Sequence, residues 1–283
     1  MQISWWNNKI MEAVKMKEEE IIEKTKEPVT KKTLINELSK LNLKGEVVIV
    51  HTALSKLGWV CGGAVALIEA LQKVITLEGT LIMPAHSGDY SEPKYWGNPP
   101  VPEEWYQTIR EEMPAYRPEV TPTRGLGVTP EIFRKFPGVV RSDHPCLSFA
   151  AWGKEAEAIT ADHKLDYALG ENSPLAKIYR REGKILLIGV GHDSNTSMHL
   201  AEYRAEHGLK IKIFGSSVLK NGKNVWTKYQ DLEFNDDLFP AIGKDFESKH
   251  DYSTAKIGLT EAKLFKQKEI VDFAVDWLEK RGD

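Results

Sequence analysis

Short apolar runs alternate along the chain with segments whose apolar residues recur at the spacing of a helix. The runs are bounded by turn residues, as buried strands are, and they are GEVVIVH (45–51), GTLIMP (79–84), SFAAW (148–152) and KILLIGV (184–190). The periodic segments predict helices at 31–41, 62–75, 129–136, 154–163, 173–183, 196–207 and 268–282. Residues 209–229 predict a hairpin, because Asn221-Gly222 suits a type I′ turn. This order predicts an α/β fold in which helices flank a mixed β-sheet.

A proline-rich excursion at 85–128 interrupts the alternation. Its prolines exclude a central strand or a long unbroken helix, and only EEWYQTIREEM (103–113) predicts a short helix there. Long irregular segments in compact domains tend to be lids or binding loops. A disordered insert is the alternative, but the aromatic residues of the excursion argue against it.

Composition limits the classes of protein to which the chain can belong. Of its 283 residues 41% are hydrophobic, enough to bury a sizeable core, and a net charge of −3 argues against nucleic acid as a partner. No segment approaches the ~18 consecutive apolar residues of a membrane span. Cys61 and Cys146, which we expect to be small buried residues, fit a reducing cytoplasm better than a disulfide scaffold. We therefore expect a cytoplasmic protein that has no membrane partner.

The first 27 residues differ from the rest of the chain. They lack the apolar core of a signal peptide and predict a charged helix or a frayed, disordered extension. No repeat or low-complexity linker divides the remainder. The sequence therefore predicts an N-terminal extension at 1–27 and a single α/β domain at 28–283.

Polar side chains are concentrated at GHDSNTSMHLAE (191–202), where a predicted strand leads into a helix. In open α/β sheets, ligands bind at the carboxyl ends of strands, where loops enter helices. Asn195 or Thr196 is the expected N-cap, because its side-chain oxygen can accept a hydrogen bond from a free amide of the first turn. For these two residues, capping alone is an alternative to any chemical role.

His199 then falls in the first helical turn, and Glu202 lies on the same helix face. The positive end of the helix dipole favours a neutral, proton-accepting imidazole. A carboxylate on its other ring nitrogen would fix the tautomer and stabilise the imidazolium formed by proton uptake. Glu202 and Asp193 are both candidates for that carboxylate. The pattern predicts a general-base arrangement.

Seven motifs follow one another in a recognisable order: VHTALSKLGWVCGGA, EGTLIMPAH, TPTRGLG, RSDHPCLSFAAWG, GENSPLAKIY, LLIGVGHDSNTSMHLAE and the closing helix. Together they resemble the aminoglycoside 3-N-acetyltransferase family over residues 28–280, and within it the Bacillus-type members. The resemblance implies that family's fold and a role in antibiotic resistance. It also implies that acetyl passes from acetyl-CoA to the 3-amino group of a 2-deoxystreptamine aminoglycoside, a cationic small molecule, without an acyl-enzyme.

The family's T-x-x-H-x-A-E pattern falls on Thr196, His199 and Glu202. An ammonium cannot attack a thioester, so a base must take its proton, and the resemblance implies that His199 is this base. Asp193 and Glu202 match the acidic partners, which could also hold the cationic antibiotic. Thr196 or a nearby amide is a candidate donor to the oxyanion of the tetrahedral intermediate.

A second loop, after the first strand, suits phosphate oxygens through its hydroxyls and Lys56. Neither G-x-x-x-x-G-K-[ST] nor G-x-G-x-x-G occurs, and a structural turn is the alternative. The resemblance implies that acetyl-CoA lies on this loop, at His51, Thr52, Ala53, Leu54, Ser55, Lys56 and Leu57. It also implies that TPTRGLG (121–127) and RSDHP (141–145) line the cleft, through Thr123, Arg124 and Ser142. Arg124 and Arg141 could contact phosphate or be structural.

Three other functions are compatible with parts of the sequence. A metal-dependent hydrolase would use histidines and aspartates near strand ends, but no H-x-x-x-H, H-x-H or C-x-x-C spacing occurs and we predict no metal. A protein that only binds coenzyme A is disfavoured by the intact general-base arrangement. The same chemistry on a different amine is the closest alternative. The acceptor pocket is expected from residues 85–120 of the excursion, whose acids are Asp89, Glu92, Glu103, Glu104, Glu111 and Glu112. We expect a monomer or homodimer.

Overall fold

A seven-stranded mixed sheet is the centre of the computed structural model, which describes residues 18–97, 99–206 and 208–282. The strands are β1 (Val47–Thr52), β2 (Thr80–Pro84), β3 (Val140–Arg141), β4 (Phe149–Gly153), β5 (Lys184–Ile188), β6 (Ile211–Lys220), β7 (Lys223–Leu232), β8 (Ser253–Ile257) and β9 (Thr260–Lys266). Strands β6 and β7 form a separate hairpin, and the others lie in the order β3-β4-β2-β1-β5-β9-β8. Neighbours β2, β1 and β5 are parallel, and the remaining pairs are antiparallel.

Helices cover both faces of this sheet. They are α1 (18–24), α2 (Lys31–Leu38), α3 (Gly63–Ile75), α4 (Tyr106–Glu112), α5 (Val128–Phe133), α6 (Ala156–Thr160), α7 (Pro174–Arg180), α8 (His199–Arg204), α9 (Phe239–Glu247) and α10 (Gln267–Gly282). Val48 and Val50 face the core under α2, α3 and α5, whereas Ile49 faces the core under α6 to α10. Successive side chains of a strand point to opposite faces, so a strand buried on both sides is apolar throughout.

The mixed α/β fold confirms the prediction, and all four predicted strands and the hairpin are present. The helix predicted at 196–207 is shorter. A 3₁₀ turn over Thr196–Met198 precedes α8, and α8 ends at Arg204 because the backbone of Ala205 is extended. Helix α9 and strands β8 and β9 were not predicted. Charged residues stand between the buried positions of β9, which obscures its apolar pattern.

The excursion packs against the β6–β7 hairpin. The Tyr116 amide donates to the Ser217 carbonyl at 2.9 Å, and the rings of Tyr95 and Phe214 lie 5.0 Å apart. Within it, a 3₁₀ turn at Glu103–Trp105 continues into α4, as the sequence predicted. The described part of the excursion is therefore folded structure, with backbone and ring contacts to the rest of the domain.

The N-terminal region is described from residue 18 onward. Residues 1–17 of the predicted extension lie outside the described residues, whereas 18–24 are helical. Val29 pairs with Val60 as an isolated bridge, which joins the start of the predicted domain to the loop before α3. The division at residue 27 stays a prediction. Within the described ranges, no helix has both the length and the apolarity that crossing a membrane requires.

Three parallel strands place three chain segments at one edge of the sheet. Strand β1 lies between β2 and β5. Ile49 of β1 pairs with Ile82 of β2, and Thr52 of β1 pairs with Ile188 of β5. The carboxyl ends of β2, β1 and β5 therefore meet, and the chain leaves each of them into an irregular segment. This is the edge at which open α/β sheets bind ligands.

Candidate active site

The turn after β5 carries the polar side chains of 191–202 into this edge. Two short 3₁₀ turns, His192–Ser194 and Thr196–Met198, lead from the strand to α8. Asn195 is fully buried between them, and its Oδ1 accepts a hydrogen bond from the Ser197 amide at 3.3 Å. Asn195 is therefore the capping residue, and the side chain of Thr196 is available to line a cavity.

His199 and Glu202 form a hydrogen-bonded pair one turn apart on α8. His199 Nδ1 lies 2.5 Å from Glu202 Oε2, and the carboxylate is 2% exposed. The other carboxylate oxygen accepts a hydrogen bond from the Asn235 amide at 2.7 Å. Because a carboxylate only accepts, Nδ1 carries a proton and Nε2 is the nitrogen left for a ligand. Of the two candidate carboxylates, Glu202 bonds to His199, and Asp193 lies at the wall of the adjoining cavity.

Two aromatic rings hold the imidazole in place. The ring centroids of Phe234 and Phe239 each lie 4.8 Å from that of His199. Both residues come from segments distant in sequence, after β7 and at the start of α9. The sequence does not predict this role for Phe234 and Phe239, because no local pattern indicates that residues 35 or more positions away pack on the histidine.

A cavity of about 370 Å³ lies beside His199 at the ends of the parallel strands. It brings together five of the predicted site residues, one pair from the end of β1 and three from the turn after β5: His51, Thr52, Asp193, Thr196 and His199. The sequence reasoning did not assign His86 or Asp236 to it, although both line it. Asp236 follows the hairpin, and no spacing in the sequence signals that the hairpin returns the chain to this cavity.

Burial makes part of the cavity wall neutral. It lowers the pKa of both His51 and His86 to about 3, so these imidazoles carry no charge at neutral pH. Asp193 and Asp236 are exposed at the same cavity, and neither forms an ion pair with any residue that the structure describes. The cavity therefore has an anionic rim beside a neutral floor, which suits a cationic ligand.

A groove of about 740 Å³ adjoins the cavity and runs along the loop after β1. Thr52, Ala53, Leu54 and Ser55 line it, and Thr52 also lines the cavity. Buried Oγ1 atoms of Thr52 and Thr129 have no hydrogen-bond partner within the described ranges, although both residues line the groove. Orphaned hydroxyls at a groove are suited to bind a ligand that supplies polar atoms.

Two residues of the predicted coenzyme loop lie elsewhere. Lys56 lines a smaller neighbouring cavity of about 280 Å³, together with Lys24. Leu57 is fully buried in the core and lines none of these cavities. The loop therefore offers fewer side chains to a ligand than the resemblance implied.

Three further predicted residues are engaged in structural contacts. Thr123 donates from both its amide and its hydroxyl to Glu131, and Arg124 pairs with Asp89 at 2.6 Å. Ser142 is buried, where its hydroxyl bonds to a ring nitrogen of His163 at 2.9 Å. None of the three is among the residues that line the cavity or the groove, whereas Gly125 and Leu126 line both.

Arg141 is structural. Its guanidinium donates to the carbonyls of Ala85, Thr121 and Pro118 and to two serine hydroxyls, and it lies over the ring of Tyr116. These contacts tie the start of the excursion to β3. The guanidinium is thereby engaged within the protein, which favours the structural interpretation of Arg141.

The acids of the excursion do not line the cavity beside His199. Glu92 is buried against Arg110, and with Glu111 it lines a separate depression between α4 and the hairpin. The carboxylates at the cavity are Asp193 and Asp236, and an acceptor pocket formed by the acids of the excursion stays a prediction. The excursion contributes His86, Gly125 and Leu126 instead.

Burial raises the pKa of the Cys146 thiol to about 12, so it stays protonated and is a poor nucleophile. Cys61 is exposed and Cys146 is half-buried, so the expectation that both cysteines are buried is wrong. Within the described residues, no three His, Cys, Asp or Glu side chains come close enough to hold a metal ion.

The sequence of this chain matches that of a known protein family over most of its length. The sequence profile described as Aminoglycoside 3-N-acetyltransferase matches residues 49–279. The chain belongs to this family. It is accordingly an acetyltransferase, and the family's activity is the N-acetylation of aminoglycosides.

Individual members of the aminoglycoside 3-N-acetyltransferase family resemble the chain over most of its length. YokD of Bacillus subtilis, a prophage-derived aminoglycoside N(3')-acetyltransferase-like protein, is 49% identical over 91% of this chain and 95% of its own. This likeness agrees with the Bacillus-type expectation. Aminoglycoside N(3)-acetyltransferase IX of Micromonospora chalcea is 31% identical over 94% of this chain and 99% of its own.

Solved structures of the family share the fold. The crystal structure of YokD superimposes with a TM-score of 0.90 at 48% identity, covering 93% of this chain and 97% of that one. The structure of AAC-IIIb, a binary complex with CoASH, gives a TM-score of 0.81 at 32% identity, covering 90% and 98%.

Proposed function

We propose that this protein transfers acetyl from acetyl-CoA to the 3-amino group of a 2-deoxystreptamine aminoglycoside, with His199 as the general base. The observation that carries the proposal is the His199–Glu202 pair. Glu202 bonds to Nδ1 of His199, which leaves Nε2 for a ligand, and His199 lines the cavity that adjoins the groove. The coenzyme-bound state of AAC-IIIb supports the choice of acyl donor. The proposal includes a cytoplasmic setting and a monomer or homodimer.

His199 performs the proton transfers. Its Nε2 takes a proton from the acceptor ammonium or from the attacking amine, and Glu202 stabilises the imidazolium that forms. The amine nitrogen then bonds to the thioester carbonyl carbon, and the carbon–sulfur bond breaks. The imidazolium returns its proton to the leaving thiolate, and an acceptor that enters as an ammonium also releases its second proton to solvent, so that charge and protons balance. A positioned base of this kind contributes roughly 10²–10⁴-fold to the rate.

Other residues of the cavity bind and orient the acceptor. Asp193 and Asp236 provide negative charge at the rim, which favours a polycationic amine and attracts it over a distance set by ionic strength. His51 and His86 are neutral and therefore do not repel it. Thr196 lines the cavity next to His199 and is the side-chain donor that we assign to the oxyanion.

The loop after β1 is the proposed coenzyme site. Thr52, Ala53, Leu54 and Ser55 would hold the acyl donor, since all four line the groove and Thr52 also lines the cavity. Holding the thioester and the amine together in one ternary complex lowers the entropic cost of reaction. Lys56, in the neighbouring cavity with Lys24, adds positive charge suited to phosphate groups.

Product analysis tests the proposed reaction. The purified protein is incubated with acetyl-CoA and a kanamycin- or gentamicin-like aminoglycoside, and the product is analysed by mass spectrometry and two-dimensional NMR. We expect a single acetyl group on the 3-amino nitrogen. A product acetylated at another amine would contradict the regiochemistry but not the chemistry. If no aminoglycoside in a panel reacts while coenzyme A binds by calorimetry, the acceptor is a different amine.

A further inference from the structure

A second carboxylate–histidine pair lies at the start of the turn that leads to His199. His192, only 7% exposed, has its Nε2 2.9 Å from Glu247 Oε1. Lys263 on β9 donates to both oxygens of the same carboxylate, at 2.9 and 2.7 Å. The mechanism proposed above uses none of these three residues.

The other nitrogen of His192 contacts the capping residue of the turn. Because the Glu247 carboxylate only accepts, Nε2 carries the proton and Nδ1 is an acceptor. The Asn195 side-chain nitrogen lies 3.4 Å from Nδ1, while Asn195 Oδ1 accepts from the Ser197 amide. The Nε2-protonated tautomer of His192 and the Ser197 amide thus select the same orientation of the buried Asn195 side-chain amide. Asn195 also lines the cavity beside His199.

Helix α9 is shaped to admit the imidazole. A Cβ at Gly243 would lie 2.1 Å from two ring atoms of His192, so any side chain at this position would displace the ring. The ring also packs on Phe265, with centroids 5.1 Å apart. Burial lowers the pKa of His192 although Glu247 opposes the shift, which keeps the imidazole in the neutral form that can accept from Asn195.

We propose that His192 is a positioning residue for acetyl transfer, which, held by Glu247 and Lys263, fixes the Asn195 amide and thereby places Thr196 and His199 at the cavity. This inference rests on the proposed function. Partners behind reacting groups typically change activity by roughly 10–100-fold when they are removed, because the reacting groups lose their alignment.

Kinetics of matched variants test the proposal. We expect Glu247→Ala and Gly243→Ala to lower kcat about tenfold or more, with the KM for acetyl-CoA within about twofold of wild type. Glu247→Gln keeps an acceptor for His192 and should restore most of kcat. Asp245→Ala is the control, because Asp245 is on the same helix but accepts a hydrogen bond from Trp277. It should leave kcat unchanged.

A double-mutant cycle tests whether His192 acts through Asn195. Residues that act along one path are not additive, so adding Glu247→Ala to Asn195→Ala should cost no more than about twofold further. If the double variant instead lost kcat by the product of the two single losses, the proposal would be overturned. The proposal would also be overturned if Glu247→Ala and Gly243→Ala both lowered the melting temperature but kept kcat within twofold of wild type. For this comparison kcat is normalised to the concentration of coenzyme-binding sites.

Imidazole ¹⁵N NMR provides a readout independent of turnover. The wild-type spectrum should show His192 as the Nε2-protonated tautomer, and Glu247→Ala should alter both that signal and the side-chain amide signals of Asn195. Unchanged Asn195 signals would contradict the proposed link. If the wild-type protein acetylates no aminoglycoside, the proposed function fails, whereas these spectra still decide whether the link exists.

Discussion

His199 Nδ1 lies 2.5 Å from an oxygen of Glu202, a residue one helical turn further along the same helix. The second oxygen of Glu202 is held by the Asn235 amide, which follows the hairpin. The pair is therefore fixed from two directions, by local helix geometry and by a distant segment. Its orientation defines which imidazole nitrogen is available at the cavity.

Glu202→Gln should lower kcat by roughly 10²-fold or more, because an amide can donate to Nδ1 and can thereby select the wrong tautomer of His199. The KM for acetyl-CoA should change little, since Glu202 does not line the groove. Steady-state thiol release from acetyl-CoA measures both values. Glu206→Gln, an exposed glutamate just beyond the same helix, is the control and should match wild type.

The position of this pair could be predicted from the sequence, whereas its surroundings could not. His199 and Glu202 are three residues apart in a strand–turn–helix segment, and local geometry brings such residues together. Phe234, Asn235 and Asp236 reach the site only because the hairpin packs where it does. Local patterns carry no information about that packing.

The same distinction applies to the fold. The apolar runs that became β1, β2 and β5 are buried on both faces, so composition alone marks them as strands. Strands β8 and β9 lie at one side of the sheet and mix lysine, threonine and glutamate with their apolar residues, so their pattern resembles that of loops. The resemblance implies that Ser142 and Leu57 contact the coenzyme, whereas the structure buries both side chains.

Asp236→Asn should weaken acceptor binding rather than catalysis. Losing one rim carboxylate should raise the KM for the aminoglycoside roughly three- to tenfold at low salt and leave kcat near wild type. The difference should shrink in 0.5 M salt, because exposed charges are screened. Asp237→Asn is a matched control, since the adjacent carboxylate does not line the cavity. Equal effects of the two substitutions would count against a binding role for Asp236.

Arg141→Met should destabilise the protein without changing the coenzyme site. The substitution leaves the buried Thr121 carbonyl without its side-chain donor, at a cost of about 1–3 kcal/mol, and removes one of the two donors to the Ala85 carbonyl, which keeps the Ser148 hydroxyl. Urea unfolding should show the lower free energy of unfolding. Calorimetry on the folded variant should give an unchanged Kd for coenzyme A, whereas a large loss of affinity would mean that Arg141 contacts phosphate after all.

Stability should fall as the pH falls from about 6.5 toward 4. His51 and His86 have pKa values near 3 in the folded protein and 6.5 ordinarily, so between these values only the unfolded chain binds their protons. Each histidine then lowers the free energy of unfolding by up to about 1.4 kcal/mol per pH unit. Urea unfolding at pH 7, 6 and 5 measures the slope. His86→Gln should give a shallower slope than wild type, and an identical slope would show that His86 does not contribute.

The most direct test of the central claim is thiol release from acetyl-CoA with an aminoglycoside acceptor, measured for wild type and His199→Ala, with calorimetry of coenzyme A binding to both. We predict a loss of kcat of about 10²-fold or more at an unchanged Kd. Turnover by His199→Ala within a few-fold of wild type would contradict the assignment of His199 as the general base.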